Sequence, residues 1–181
     1  AHIALFGAQD FRIEAVGAGK INPRYVVRFG EAVKESSFVV DESAETAILV
    51  ISRASGENYD NGAFRGEYYL TEEEEQQIAS LKEKYKNIIA IINSGYPMDV
   101  RWTKDPQVKA VIWTGFSGML GGRALVNILN GTVNPSGHLT DTWANDYYDI
   151  PSSKNFFMPD SPEGALDADH NVWVNTVYEE D

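Results

Sequence analysis

The sequence contains no cysteine, which excludes disulfides, thiolate nucleophiles and thiolate-held metals. That absence is compatible with a reducing compartment, and a cytoplasmic location is slightly favoured on that ground. No apolar run approaches the roughly 18 residues of a membrane span. The opening Ala1-His2-Ile3-Ala4-Leu5-Phe6 has neither the basic segment nor the leader of a signal peptide. It reads as a strand already inside a fold, so a fragment of a longer protein is expected. Positive charge is scarce: 15 Lys and Arg stand against 27 Asp and Glu, a formal net charge of -12. Nucleic acid and anionic membrane, both negative, are therefore disfavoured as partners. Phosphate-binding signatures are missing. Gly19-Lys20 runs into Ile21, and Glu14 stands where a P-loop needs its first glycine. Gly17 and Gly19 are followed by Asn22, which breaks the dinucleotide fingerprint. Gly115-Phe116-Ser117-Gly118-Met119 breaks the nucleophile elbow. His2, His138 and His170 have no metal-ligand spacing. No metal and no cofactor are expected.

What is present is a chain of 181 residues, 43% hydrophobic, enough for one domain with a sizeable core. Apolar runs at His2–Phe6, Thr46–Ser52, Asn87–Ile92 and Val108–Thr114 predict strands, with further strands at Ser37–Val40 and His138–Trp143. These runs are continuous rather than alternating, as in a sheet buried on both faces. Helices are predicted over Tyr25–Lys34, from Thr71 onward, and over Met119–Leu129, with Asp41–Glu45 as a possible helix tail. Thr71 and Glu74 form a capping-box pattern, and the glutamates from Glu72 to Glu75 suit the positive end of that helix. The expected fold is α/β: a three-layer α/β/α sandwich with a mainly parallel sheet of about six strands, flavodoxin-like. The domain is expected over 1–149, with 150–181 an irregular extension of it.

One connection stands out. Between the strand ending near Ser52 and the helix capped by Thr71 lies a loop far longer than the usual ~2–6 residues. It carries Glu57, Asp60 and Glu67 among Tyr59, Phe64, Tyr68 and Tyr69. A carboxyl desolvated beside aromatic rings holds its proton and can act as a general acid. A solvated acidic loop with packed tyrosines is the plainer reading, and spacing leaves both open.

The residues of this loop, Ser52-Arg53-Ala54-Ser55-Gly56-Glu57-Asn58-Tyr59-Asp60 and then Arg65-Gly66-Glu67-Tyr68-Tyr69-Leu70, resemble the acid/base loop of glycoside hydrolase family 3. Asn134-Pro135-Ser136-Gly137-His138-Leu139 is similar to a second motif of that family, and Asn93-Ser94-Gly95-Tyr96-Pro97 to a third. The matches come in the family's order. Departures occur at Asn58 and Asn61, and at Met119-Leu120 before Gly121-Gly122. The resemblance implies the sandwich domain of a retaining exo-β-glycosidase, β-glucosidase-like, hydrolysing terminal non-reducing β-D-glycosyl residues. It implies Glu57 as general acid/base and places Tyr59 and Asp60 near the substrate, a β-linked oligosaccharide or glycoside. A catalytic barrel domain of the same polypeptide would supply the aspartate nucleophile, since this chain cannot also hold a barrel of about 250 residues. The alternative is a non-catalytic carbohydrate-binding α/β domain; a doubly wound domain holding another small ligand is a third reading.

Overall fold

The computed structural model describes residues 1–13, 15–17, 22–57 and 61–154. Two compact units part between Asp141 and Thr142, before the expected boundary at 149. The first unit holds a parallel sheet of five strands: β1 (His2–Gly7), β2 (Val39–Val40), β3 (Thr46–Ser52), β4 (Asn87–Asn93) and β5 (Val108–Trp113). Their order across the sheet is β2-β1-β3-β4-β5, the flavodoxin-like order, with its topological switch between β1 and β3. The register runs from Thr46 opposite Asn87 to Ser52 opposite Asn93, so β3 and β4 end level.

Helices cover both faces. On one side α1 (Phe29–Lys34) and α3 (Gly121–Leu129) bury Phe29, Val33, Leu125 and Val126 against Ile3, Ile48, Val50 and Ile91. Strand side chains alternate, so Ala47, Leu49 and Ile51 face the other way, toward α2 (Glu72–Lys84). There Tyr85 meets Phe6 edge-on at 5.5 Å, and Ile78 and Leu81 are buried. Close approach of α3 explains Gly122. A Cβ there would stand 2.5 Å from the Val27 carbonyl oxygen.

Three expected elements differ. The first helix begins at Phe29 rather than Tyr25. The Val27 N–H donates to the Met119 carbonyl and its carbonyl accepts from the Gly122 N–H, at 2.9 and 3.2 Å, so tertiary pairing claims this backbone before a helix can. Residues 41–45 form a turn, not a helix tail. Asp41 accepts from the Ser43 N–H and hydroxyl at 2.9 and 2.8 Å. The Lys86 and Asn87 N–H groups both donate to the Glu45 carbonyl at 3.1 Å. The strand expected at His138–Trp143 pairs with nothing among the described residues, and 131–142 is exposed throughout. Strand-like residues without a neighbouring ladder do not make a strand. The sheet accordingly shows five described strands rather than about six, and β5 is its edge, with Lys109, Ala110 and Val111 exposed.

The second unit contains single-turn 3-10 helices at Tyr147–Asp149 and Pro151–Lys154, the first capped by the Asp146 carboxylate, which accepts from the Tyr148 N–H at 3.1 Å. No helix among the described residues is long and apolar enough to cross a membrane.

Candidate active site

In open α/β sheets ligands bind beyond the carboxyl ends of the strands, at the topological switch. Here the chain leaving β1 and the chain leaving β3 meet at that switch. The Val16 N–H donates to the Ser55 carbonyl and the Glu57 N–H to the Val16 carbonyl, both at 2.9 Å, a parallel bridge centred on Val16 and Gly56. Gly56 is required there: its φ is 152°, and a Cβ would collide with the Val16 carbonyl oxygen. Gly17 lies against the glutamate itself, since a Cβ on it would stand 3.1 Å from Glu57 Oε2. Glu57 follows directly and is exposed.

The described residues at the loop's base and far end are folded on a buried cation. Arg53 is 4% exposed. Its Nη1 and Nη2 donate to the two carboxylate oxygens of Glu74, each at 2.7 Å. Its Nε donates to the Glu67 carbonyl at 2.9 Å and its Nη2 to the Tyr69 carbonyl at 3.3 Å. Glu74 has a second task. Its carboxylate accepts from the Thr71 N–H at 2.9 Å while its own N–H donates to Thr71 Oγ1 at 3.1 Å, the expected capping box. The start of α2 and the base of the loop are thus one polar unit. Nothing in the loop's spacing marked Arg53 as its centre; the signal available was a cation directly after a strand with acidic residues a helix-cap away.

The three acidic residues of the loop separate. The Glu67 carboxylate accepts from the Gly62 N–H at 2.6 Å, so it holds the loop's own backbone. Asp60 and Tyr59 lie outside the described residues. Of the two described glutamates, Glu57 is the exposed one. Tyr68 is buried and packs edge-on with Tyr69 at 5.1 Å, and the Arg101 guanidinium lies 5.9 Å from the Tyr69 ring centre. Arg101 is held in turn by Asp99, with Nε and Nη2 donating at 2.9 and 2.8 Å. These rings are packing elements under the loop.

Asn93, which opens the third motif, is the fully buried last residue of β4. Its Oδ1 accepts from the Arg12 N–H at 2.8 Å and from Ser52 Oγ at 2.6 Å. Its Nδ2 donates to the carbonyls of Arg12 and Gly115 at 2.8 and 2.7 Å. A polar residue closing an otherwise apolar strand was the cue.

A parallel α/β domain of flavodoxin-like order, presenting an exposed glutamate on a braced loop at its switch point, is the class these features define. The glycosyl hydrolase family 3 C-terminal domain matches residues 1–181, and the chain belongs to that family. It is 34% identical over 158 residues to β-glucosidase A of Butyrivibrio fibrisolvens, covering 75% of this chain and 19% of that protein. A solved β-glucosidase from Paenibacillus barengoltzii superposes with a TM-score of 0.82 at 25% identity, over 87% of this chain and 22% of that one. A β-glucosidase from Thermotoga neapolitana, solved in complex with glucose, gives 0.77 at 27% identity, over 83% and 28%. The chain thus spans under a third of the length of each.

Proposed function

We propose that this domain supplies the general acid/base, Glu57, to a retaining exo-β-glycosidase acting on terminal β-D-glycosyl residues. The nucleophilic aspartate would come from a separate barrel domain of the same polypeptide; of the extension expected over 150–181, residues 155–181 lie outside the described residues. The observation carrying the reading is the placement of Glu57: exposed, at the switch point, with its own N–H tied to Val16. Membership of the family and the length of the relatives support it. Tyr59 and Asp60 are assigned to substrate contact on the loop motif.

The chemistry requires two carboxyls about 5–5.5 Å apart. In the first step the aspartate attacks the anomeric carbon and the C–O bond to the leaving group breaks. The Glu57 carboxyl gives its proton to the departing oxygen. In the second step the Glu57 carboxylate takes a proton from water, which attacks the same carbon and releases the aspartate. Two inversions leave the β configuration. Glu57 must therefore hold a proton before the first step. A docked barrel would close the site to water around that carboxyl. On this reading the isolated chain does not hydrolyse an aryl β-glucoside.

The test is Glu57→Ala in the full-length polypeptide. Glycosides with poor leaving groups should lose about 10²–10⁴-fold. A nitrophenyl glucoside should still form the glycosyl-enzyme, which then turns over slowly, and azide should accelerate it to give a β-glycosyl azide. Near-full activity of Glu57→Ala on poor leaving groups, with azide rescue of Asp60→Ala or Glu67→Ala instead, would reassign the role.

A further inference from the structure

The segment leaving β1 touches the Glu57 backbone, and something must hold that segment. Ile13 and Val16 make the contacts outward: the Gly118 N–H donates to the Ile13 carbonyl, and Val16 bonds Ser55 and Glu57, all at 2.9 Å. The anchor at its root is Asn93. A primary amide has two donor and two acceptor positions, and Asn93 uses all four on Arg12 N–H, Arg12 carbonyl, Ser52 Oγ and the Gly115 carbonyl. The amide's orientation is settled by these partners. Turned over, its NH₂ would face the Arg12 N–H and its oxygen would face two carbonyls. Asn93 thus pairs with Arg12 through both backbone groups, as a strand neighbour would, while gripping the ends of β3 and β5. Its own carbonyl accepts from the Arg53 N–H at 2.8 Å, so the buried base of the acid/base loop hangs from the same residue.

We propose that Asn93 is a positioning residue for the acid/base: its side chain holds Arg12 by both backbone groups, on the same stretch of chain as Val16, which in turn fixes the backbone of Glu57. The proposal rests on the assignment of Glu57 above. Side chains that position a reacting group act through distance, and a displacement of an ångström costs up to about 10²-fold. A residue that merely stabilised the sheet would lower activity on every substrate alike. A residue that places the proton donor should matter most where the proton matters most.

The experiment is Asn93→Ser in the full-length polypeptide, with two readouts. Hydrogen exchange should accelerate about tenfold at the Val16 and Glu57 amides. The value of kcat/KM should fall about 10- to 100-fold for a glycoside with a poor leaving group, with little change for a dinitrophenyl glucoside. Unchanged exchange at those amides overturns the proposal, and so does an equal loss on both glycosides. Should Asn93→Ser fail to fold, Ser52→Ala removes one of the four partners and should give the same pattern in smaller measure; a variant indistinguishable from wild type on both readouts overturns it. Glu57→Ala is run alongside. If that variant loses equally on both glycosides, the acid/base assignment is what fails, and the exchange rates decide the tether by themselves.

Discussion

Two irregular segments of this chain resemble family motifs, and they are built in opposite ways. The described residues of the connection from Arg53 to Leu70 gather around a buried guanidinium. The connection is tied to α2 through Glu74, to itself through Glu67, and to the chain leaving β1 through Val16. The segment 131–142 is exposed along its length. At the end of α3 the Val133 N–H donates to the Asn127 carbonyl and the Thr132 N–H to Asn130 Oδ1, both at 2.9 Å, and farther on Thr140 Oγ1 donates to its neighbour Asp141 at 2.6 Å. The difference shows what orders a loop. Length and polarity do not decide it; a buried polar residue whose partners lie on several elements does.

The strongest way to break this contrast is Arg53→Ala. It leaves Glu74 partly buried without its partner and removes the donor to three carbonyls, those of Ser52, Glu67 and Tyr69, and should cost about 3–5 kcal/mol in urea denaturation. A cost below 1 kcal/mol would show that the loop does not depend on its buried cation. Thr71→Ala removes one half of the capping box while keeping the Arg53–Glu74 pair, and should cost about 1 kcal/mol. In the exposed segment, Leu139→Ala should change stability by no more than about 0.5 kcal/mol. A larger loss would mean that 131–142 is buried against something in solution.

Acid gives the smallest effect and falls outside both segments. Asp41 is held below the ordinary aspartate range by the Ser43 N–H and hydroxyl and by His2. Asp105 is held down by the Gln107 N–H and by Lys82. Each carboxyl is harder to protonate folded than unfolded, so each contributes stability above about pH 4 that is lost as the pH falls further. Asp41→Asn should flatten that acid dependence slightly, as read from melting temperature across pH 2–6.

Several features were readable in advance for physical reasons. Continuous β-branched runs at Thr46–Ser52 and Asn87–Ile92 predict strands buried on both faces, and both are central in the sheet. The Thr71–Glu74 box is a local signal and sits where expected. The same local logic failed at Tyr25–Val27, where helical spacing lost to pairing with Met119 and Gly122. It failed at His138–Trp143, where strand-like residues found no described edge. In the loop, spacing could not separate Glu57 from Glu67, because which N–H groups reach a carboxylate is set by the folded chain.

The linear order of residues was enough for the α/β class, for the central strands, for the α2 cap and for the family, because each is written in a short window or in a motif. The roles of Arg53 and Asn93 were not legible there. Each side chain works by joining positions far apart in the chain, Arg12 with Gly115 in one case and Ser52 with Glu74 in the other. Those positions become neighbours only when the parallel strands end side by side and α2 packs beside them. A buried polar group is defined by its partners, and the partners are chosen by the folded sheet.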